Sequence, residues 1–270
     1  MNQPGQSGTP FYFLGQDAHV GYDHLVNEDD CGCFSTPAGE LFILADGFRG
    51  HAGGGVASRL AVSTFHQVMR EVSGEPEILL REALAAADEA VASAGRDFAE
   101  LQGLGSSLVA LLLRKTEAWY IHVGDSRLYL ASAGGLRRLT SDLRTPRADG
   151  QTLGATVDLN HLQVGRHPFR ADDTFLLCTS GLSALVTEKE IQAILARPAS
   201  PQLRARGLIE AAVRTGGSDN ITVQVVAFKP GPGEDNSAGP GRASSSPKAF
   251  LLGAGCGLAL GAALMWALVN

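Results

Sequence analysis

Ser107-Leu108-Val109-Ala110-Leu111-Leu112-Leu113-Arg114, Ala118-Trp119-Tyr120-Ile121-His122-Val123-Gly124 and Arg127-Leu128-Tyr129-Leu130-Ala131 are three apolar runs that follow one another almost without interruption. Parallel neighbours need a crossover of a dozen or more residues, and these connections are far too short for one. The runs therefore predict antiparallel hairpins, 107–114 with 118–124 and 118–124 with 127–131, the second turning on Gly124-Asp125-Ser126. Working outward, further strands are predicted near 11–16, 30–35, 41–46, 174–179 and 221–228. Helices are predicted over about 52–71, 76–100 and, as a pair, 187–215. The 76–100 helix opens at Glu75-Pro76-Glu77, with proline where the first turn has no use for an N–H. Its Ile78, Leu79, Leu84, Ala87, Val91 and Ala94 recur at helical spacing. Strands outnumber the helices a regular βαβ series would need, so the pattern predicts a layered α+β sandwich rather than a doubly wound sheet.

These elements fill residues 11–228. Residues 1–10 read as a polar, frayed lead. Residues 229–248 are rich in Gly, Pro and Ser and cannot bury enough apolar surface to order themselves, so they read as a linker. Residues 249–269 are uncharged and almost wholly apolar. At ~1.5 Å rise per residue they cover about 30 Å, the thickness of a bilayer core, and predict one transmembrane helix in contact with lipid. Gly253, Gly257 and Gly261 recur every fourth residue, the pattern of a helix-pairing face and so of a homodimer. Arg242 and Lys248 flank the near side and only Asn270 follows, which by the positive-inside tendency predicts a cytoplasmic domain on a C-terminal anchor. The N-terminus shows no secretory signal.

Bulk composition agrees. Of 270 residues, 44% are hydrophobic and 19% charged, too apolar for a disordered chain, and the formal net charge of −6 argues against a nucleic-acid partner. The four cysteines, Cys31, Cys33, Cys178 and Cys256, have neither zinc-ribbon nor redox spacing and read as reduced thiols.

The chemistry is carried by carboxylates at strand ends. Leu41-Phe42-Ile43-Leu44-Ala45 runs into Asp46-Gly47. Asn27-Glu28-Asp29 precedes the next predicted strand, Gly124-Asp125-Ser126-Arg127 caps another, and Asp219-Asn220 opens the last. Each is also an ordinary turn sequence. Four of them, each against an apolar strand, point to an all-oxygen cluster for hard cations such as Mg²⁺ or Mn²⁺.

The order of these stretches resembles the PPM (type-2C) family of metal-dependent protein serine/threonine phosphatases, in its bacterial form. Gly21-Tyr22-Asp23-His24-Leu25-Val26-Asn27-Glu28-Asp29 is similar to Gly-x-x-Arg-x-x-Asn-Glu-Asp. Ala45-Asp46-Gly47-Phe48-Arg49-Gly50-His51-Ala52 is similar to Ala-Asp-Gly-Met-Gly-Gly-His-Ala. Gly105-Ser106-Ser107-Leu108-Val109-Ala110, Val123-Gly124-Asp125-Ser126-Arg127, Leu139-Thr140-Ser141-Asp142 and Gly216-Gly217-Ser218-Asp219-Asn220 complete the series. The resemblance implies a four-layer α/β-β/α sandwich with two central antiparallel sheets flanked by helices. It implies two or three Mn²⁺ or Mg²⁺ ions: Asp46 bridges two of them, the Gly47 carbonyl with Glu28 and Asp29 serves one, Asp219 holds the other, and Asp125 faces a looser third. It implies hydrolysis of phosphoserine and phosphothreonine in phosphoproteins by a metal-activated water, with His51 as general acid, and a serine/threonine kinase or its targets as partners.

The pattern also breaks. His24 stands in place of an arginine that grips substrate phosphate, Ser180 in Thr179-Ser180-Gly181-Leu182 replaces a metal-ligating aspartate, and the segment from Asp142 to Gly154 is too short for the usual helical flap. A neutral hydroxyl is a poorer ligand than a carboxylate, which predicts a weakened metal position at Ser180. Arg49, where glycine is usual, is a candidate to supply the phosphate-gripping charge. The same departures motivate the alternative of a pseudophosphatase that binds a phosphoprotein or signalling partner without turnover. Against it stand Glu28, Asp29, Asp46, Asp125 and Asp219, whose mutual repulsion is destabilising without a cation.

Overall fold

The computed structural model describes residues 12–48, 53–143, 152–154, 157 and 162–228. Two five-stranded antiparallel sheets face each other. The first has the order β1 (Phe13–His19), β10 (Ile221–Ala227), β9 (Thr174–Cys178), β6 (Arg127–Ser132), β7 (Gly135–Arg138). The second has the order β2 (Asp29–Thr36), β3 (Gly39–Phe48), β4 (Gly105–Arg114), β5 (Glu117–Val123), β8 (Gly165–Pro168). Three apolar cores stack through the molecule. Phe42, Leu44, Val109, Leu111, Leu128, Phe175, Leu177 and Val226 fill the space between the sheets. Helices α1 (Gly54–Glu71) and α2 (Pro76–Asp97) cover the second sheet through Phe65, Met69, Leu80 and Leu84. Helices α4 (Glu188–Leu195) and α5 (Pro201–Arg214), with the short α3 (Ser180–Ser183), cover the first through Ile191, Leu208 and Ala212. β3, β4, β9 and β10 are buried on both faces, so they read as continuous apolar runs rather than alternating ones.

The predicted α+β layering holds, and the 107–114/118–124 hairpin is the observed β4–β5 pair, closed over Lys115 with a positive φ of 56°. The predicted hairpin 118–124/127–131 does not form. β5 is already bonded on both sides, to β4 and β8, so β6 has no free edge to join. Gly124, with φ 87°, instead carries the chain from one sheet to the other, and β6 pairs with β7 and β9. Asp46 is also not the last residue of its strand: pairing with β4 continues through Gly47↔Ser106 and Phe48↔Gly105. The expected 76–100 helix ends at Asp97 and closes with a 3₁₀ turn over Ala99–Leu101.

Among the described residues no helix is long and apolar enough to cross a membrane. The expected anchor at 249–269 with its glycine stripe, the linker 229–248 and the lead 1–10 lie outside the described residues, as do Arg49 and His51.

Candidate active site

The crossing at Gly124 lies at the end of the sandwich where the acidic residues collect, Asp125 following it directly and acting on Asp46. Asp29 begins β2 and lies directly opposite Asp46 in the β2–β3 register; Asp46 lies opposite Ser107 on its other side. Two hydroxyls from the facing sheet reach across the gap to Asp29: Thr222 Oγ1 donates to Oδ2 at 2.6 Å and Thr179 Oγ1 to the same oxygen at 3.2 Å. Ser180 Oγ donates to Asp46 Oδ2 at 3.1 Å. The sheets are thus tied at this end through the carboxylates themselves. Sequence reasoning passed over Thr179 and Thr222 as strand residues. Their only signal is polarity at positions flanked by buried apolar ones, Cys178 before Thr179 and Ile221 before Thr222.

Glycines set the approach on the other side. Helix α1 begins with Gly54, and a Cβ there would stand 2.8 Å from Glu28 Oε1 and 2.8 Å from the Gly47 carbonyl oxygen. The two oxygens expected to share one metal therefore converge on the same point. A Cβ on Gly47 would meet the Gly54 carbonyl at 1.9 Å, so neither glycine tolerates a side chain. Ser58 Oγ, on the first turns of α1, donates to the Glu28 carbonyl at 2.5 Å. Asn220 fixes the remaining edge: its Oδ1 accepts from Glu28 N at 2.7 Å, and its Nδ2 donates to Val20 O at 2.5 Å and Val26 O at 3.2 Å. The Ser107 and Ser126 hydroxyls, 2.6 Å apart, join β4 to the Asp125 turn. Asp125 itself is exposed. Two residues on, Arg127 donates twice to Asp142, Nε to Oδ1 at 2.9 Å and Nη2 to Oδ2 at 2.7 Å, and so ties the segment that follows β7 to the start of β6.

The electrostatics are those of crowded anions. Asp46 keeps a solvent-facing edge, but burial of its carboxyl, then Asp29, Asp125 and Asp219, hold it well above the ordinary carboxylate range. Burial also raises Asp29, more than its threonine donors lower it. Asp29 Oδ1 is buried with no hydrogen-bond partner. A buried carboxylate oxygen without a donor, among mutually repelling carboxylates, fits a divalent cation. Among the described residues, no three His, Cys, Asp or Glu side chains close a shell without help. The donor set here is mixed, with the Gly47 carbonyl and carboxylates from separate elements, as hard cations accept.

Of the residues singled out in the sequence, Glu28, Asp29, Asp46, Gly47 and Ser180 meet at this end, and Asp125 and Asp219 act on Asp46 electrostatically. His24 turns its Nε2 to Asp219 Oδ1, 3.1 Å away. None of the described cysteines is disulfide-bonded, and burial pushes the thiols of Cys31, Cys33 and Cys178 up to about 12, out of the reactive range.

Comparison with known proteins agrees with this architecture. A family model described as protein phosphatase 2C matches residues 17–213. The serine/threonine phosphatase stp of Listeria welshimeri is 33% identical over 228 residues, covering 74% of this chain and 89% of that protein. The serine/threonine protein phosphatase PstP of Mycobacterium tuberculosis is 33% identical over 208 residues, 68% of this chain and 40% of that protein. The solved catalytic domain of PstP in complex with two manganese ions superposes with a TM-score of 0.71 at 31% identity, over 81% of this chain and 99% of that one. With that match running from within β1 to the last turn of α5 and taking in Glu28, Asp29, Asp46 and Asp125, the chain belongs to the protein phosphatase 2C family.

Proposed function

We propose that this chain hydrolyses phosphoserine and phosphothreonine in proteins at a two-metal site, on the cytoplasmic face of a membrane. The observation that carries the reading is the crowding of Asp29, Asp46 and Asp219 around a buried oxygen without a donor. Asp46 would be shared by the two ions, Glu28, Asp29 and the Gly47 carbonyl would hold one Mn²⁺ or Mg²⁺ and Asp219 the other, with Asp125 available to a third. When bound, such ions activate a water and stabilise in-line displacement at phosphorus. The chain's own residues supply the frame. β2 and β3 hold two carboxylates in register, the threonines of the facing sheet fix the rotamer of Asp29, and the glycines at 47 and 54 admit the carbonyl and Glu28 to one point. His51 is the general acid that returns a proton to the serine or threonine oxygen as it leaves. No observation favours the pseudophosphatase alternative, and the relatives above are named as phosphatases.

The test is release of phosphate by the full chain from a phosphothreonine peptide, titrated with Mn²⁺ and with Mg²⁺. Metal-dependent turnover that EDTA abolishes is the expected result; a folded chain silent at every metal concentration would overturn the reading. The membrane location has its own test. The full chain should stay in the pellet on alkaline carbonate extraction of cells, and a chain ending at Phe228 should not. Release of both to the supernatant would remove the anchor at 249–269.

A further inference from the structure

The loop before β2 is fastened to the turn before β10. Tyr22 N donates to Gly217 O at 2.8 Å and Asp23 N to Ser218 O at 3.1 Å, while Asn220 Nδ2 clamps Val20 O and Val26 O. Gly21, with φ +81°, closes the seam: a Cβ there would stand 2.3 Å from Asp219 O. Main-chain bonds on either side of His24 thus hold its loop beside the Asp219 turn, and its Nε2 lies 3.1 Å from Asp219 Oδ1. Across the site Ser180 occupies the place of a carboxylate, and its hydroxyl donates to Asp46 Oδ2. A hydroxyl so engaged brings no charge to a cation. Relative to the family pattern, a carboxylate is missing at Ser180, and an imidazole stands beside Asp219.

We infer that His24 Nε2 is a direct ligand of the second metal ion, alongside Asp219 Oδ1 and in place of the carboxylate missing at Ser180, and that it tilts this site toward Mn²⁺ over Mg²⁺. The inference rests on the two-metal reading above. Donor atoms 3.1 Å apart have the separation of two adjacent corners of an octahedral shell with bonds of ~2.1–2.2 Å. Arginine, the family's residue at this position, has only donors and no lone pair to offer a cation. Imidazole has one. As a metal ligand the imidazole would carry its proton on Nδ1, so that Nε2 could offer its lone pair. Nitrogen donors favour transition ions, whereas Mg²⁺ prefers oxygen and keeps its waters. His24 does not then take the phosphate-gripping role of the arginine. Tyr22, Leu25 and Val26, the exposed apolar residues around it, are also no substitute for that charge.

The full chain, stripped of metal and titrated with Mn²⁺, tests this by binding isotherm and by pulsed electron paramagnetic resonance. Two bound Mn²⁺ ions are expected, one showing the isotropic nitrogen coupling of a directly bonded imidazole. In His24→Asn that coupling should vanish and the weaker Mn²⁺ site should lose at least the ~10–100-fold that loss of an outer-shell partner costs, with a much smaller change for Mg²⁺. Adding Ser180→Asp to His24→Asn should restore affinity without the nitrogen signal and raise Mg²⁺ affinity. Two Mn²⁺ ions without a bonded nitrogen in the unmodified chain, or a coupling that survives His24→Asn, would overturn the inference and leave the two-metal reading standing. No bound Mn²⁺ at all would overturn both.

Discussion

Asp46→Asn is expected to abolish phosphate release and, in the absence of metal, to make the domain more stable. The two effects have one cause. Asp46 faces Asp29 across a strand pair, with Asp125 and Asp219 acting on it, and burial already disfavours its charge. Asparagine is nearly isosteric, keeps an oxygen to accept the Ser180 hydroxyl and removes one of the repelling charges. Relief of such a mismatch is on the order of 1–2 kcal/mol. The sign has a pH signature. A carboxyl raised in the folded state binds its proton more tightly there than in the unfolded chain. Its ionisation therefore costs nothing at low pH, and the cost grows as pH rises from the ordinary carboxylate range toward the folded value. The metal-free wild type should lose melting temperature from pH 4.5 to neutrality, and Asp46→Asn should lose less. Turnover behaves in the opposite way. Charge stabilisation by metal ions contributes several kcal/mol to the transition state, and each ~1.4 kcal/mol is tenfold, so removing the carboxylate proposed to bridge them should cost on the order of 10³-fold or more. Calorimetry without metal and a phosphopeptide assay with it read the two halves separately. A less stable metal-free Asp46→Asn would show that the carboxylates are not in conflict, and the electrostatic argument for the cation would fail.

How far the sequence carried this depended on whether the determining contacts were local. The doubly buried strands β3, β4, β9 and β10 were legible because burial on both faces leaves an unbroken apolar run. β7 and β8 were not. Each has four residues, and β8 ends in Pro168, tolerated because that strand is an edge. The error at Gly124-Asp125-Ser126 is of the same kind. A tight turn between two strand runs has one local appearance whether it closes a hairpin or switches sheets, and the choice lies in which edges are already taken. The site divides likewise. Asp46-Gly47, Glu28-Asp29 and Asp219 could be found because their neighbours are strands and turns. The donors from Thr179 and Thr222 to Asp29 span 150 and 193 residues, and no sequence spacing announces them. His24 was legible as a departure from the motif. Its partner became visible only when the main chain seated it on Asp219.

Adding Mn²⁺ to the metal-free chain should raise its melting temperature steeply, and EDTA should reverse it. A ligand that binds only the folded state at about a hundred times its dissociation constant stabilises by about 2.7 kcal/mol per site. For a domain of this size each kcal/mol moves the midpoint by roughly 2–4 °C, so one filled site predicts about 5–10 °C and a second adds to it. The cations would act where the fold is least content. Asp29 Oδ1 has no donor, and the two sheets are joined at this end through groups that repel one another. The gain should therefore exceed that of an ion merely held on a solvated surface, and it should be larger at pH 7.5 than at pH 5, since only ionised carboxylates bind metal and those are the forms whose repulsion the cation cancels. In Asp46→Asn most of the shift should disappear, because the residue proposed to be common to both ions is gone. In Ser180→Asp it should grow, most for Mg²⁺, because a carboxylate returns to the second position. A Mn²⁺ shift that is small, insensitive to pH and unchanged in Asp46→Asn would mean that binding occurs away from the junction of β2, β3, β9 and β10, and the assignment of these carboxylates would have to be abandoned.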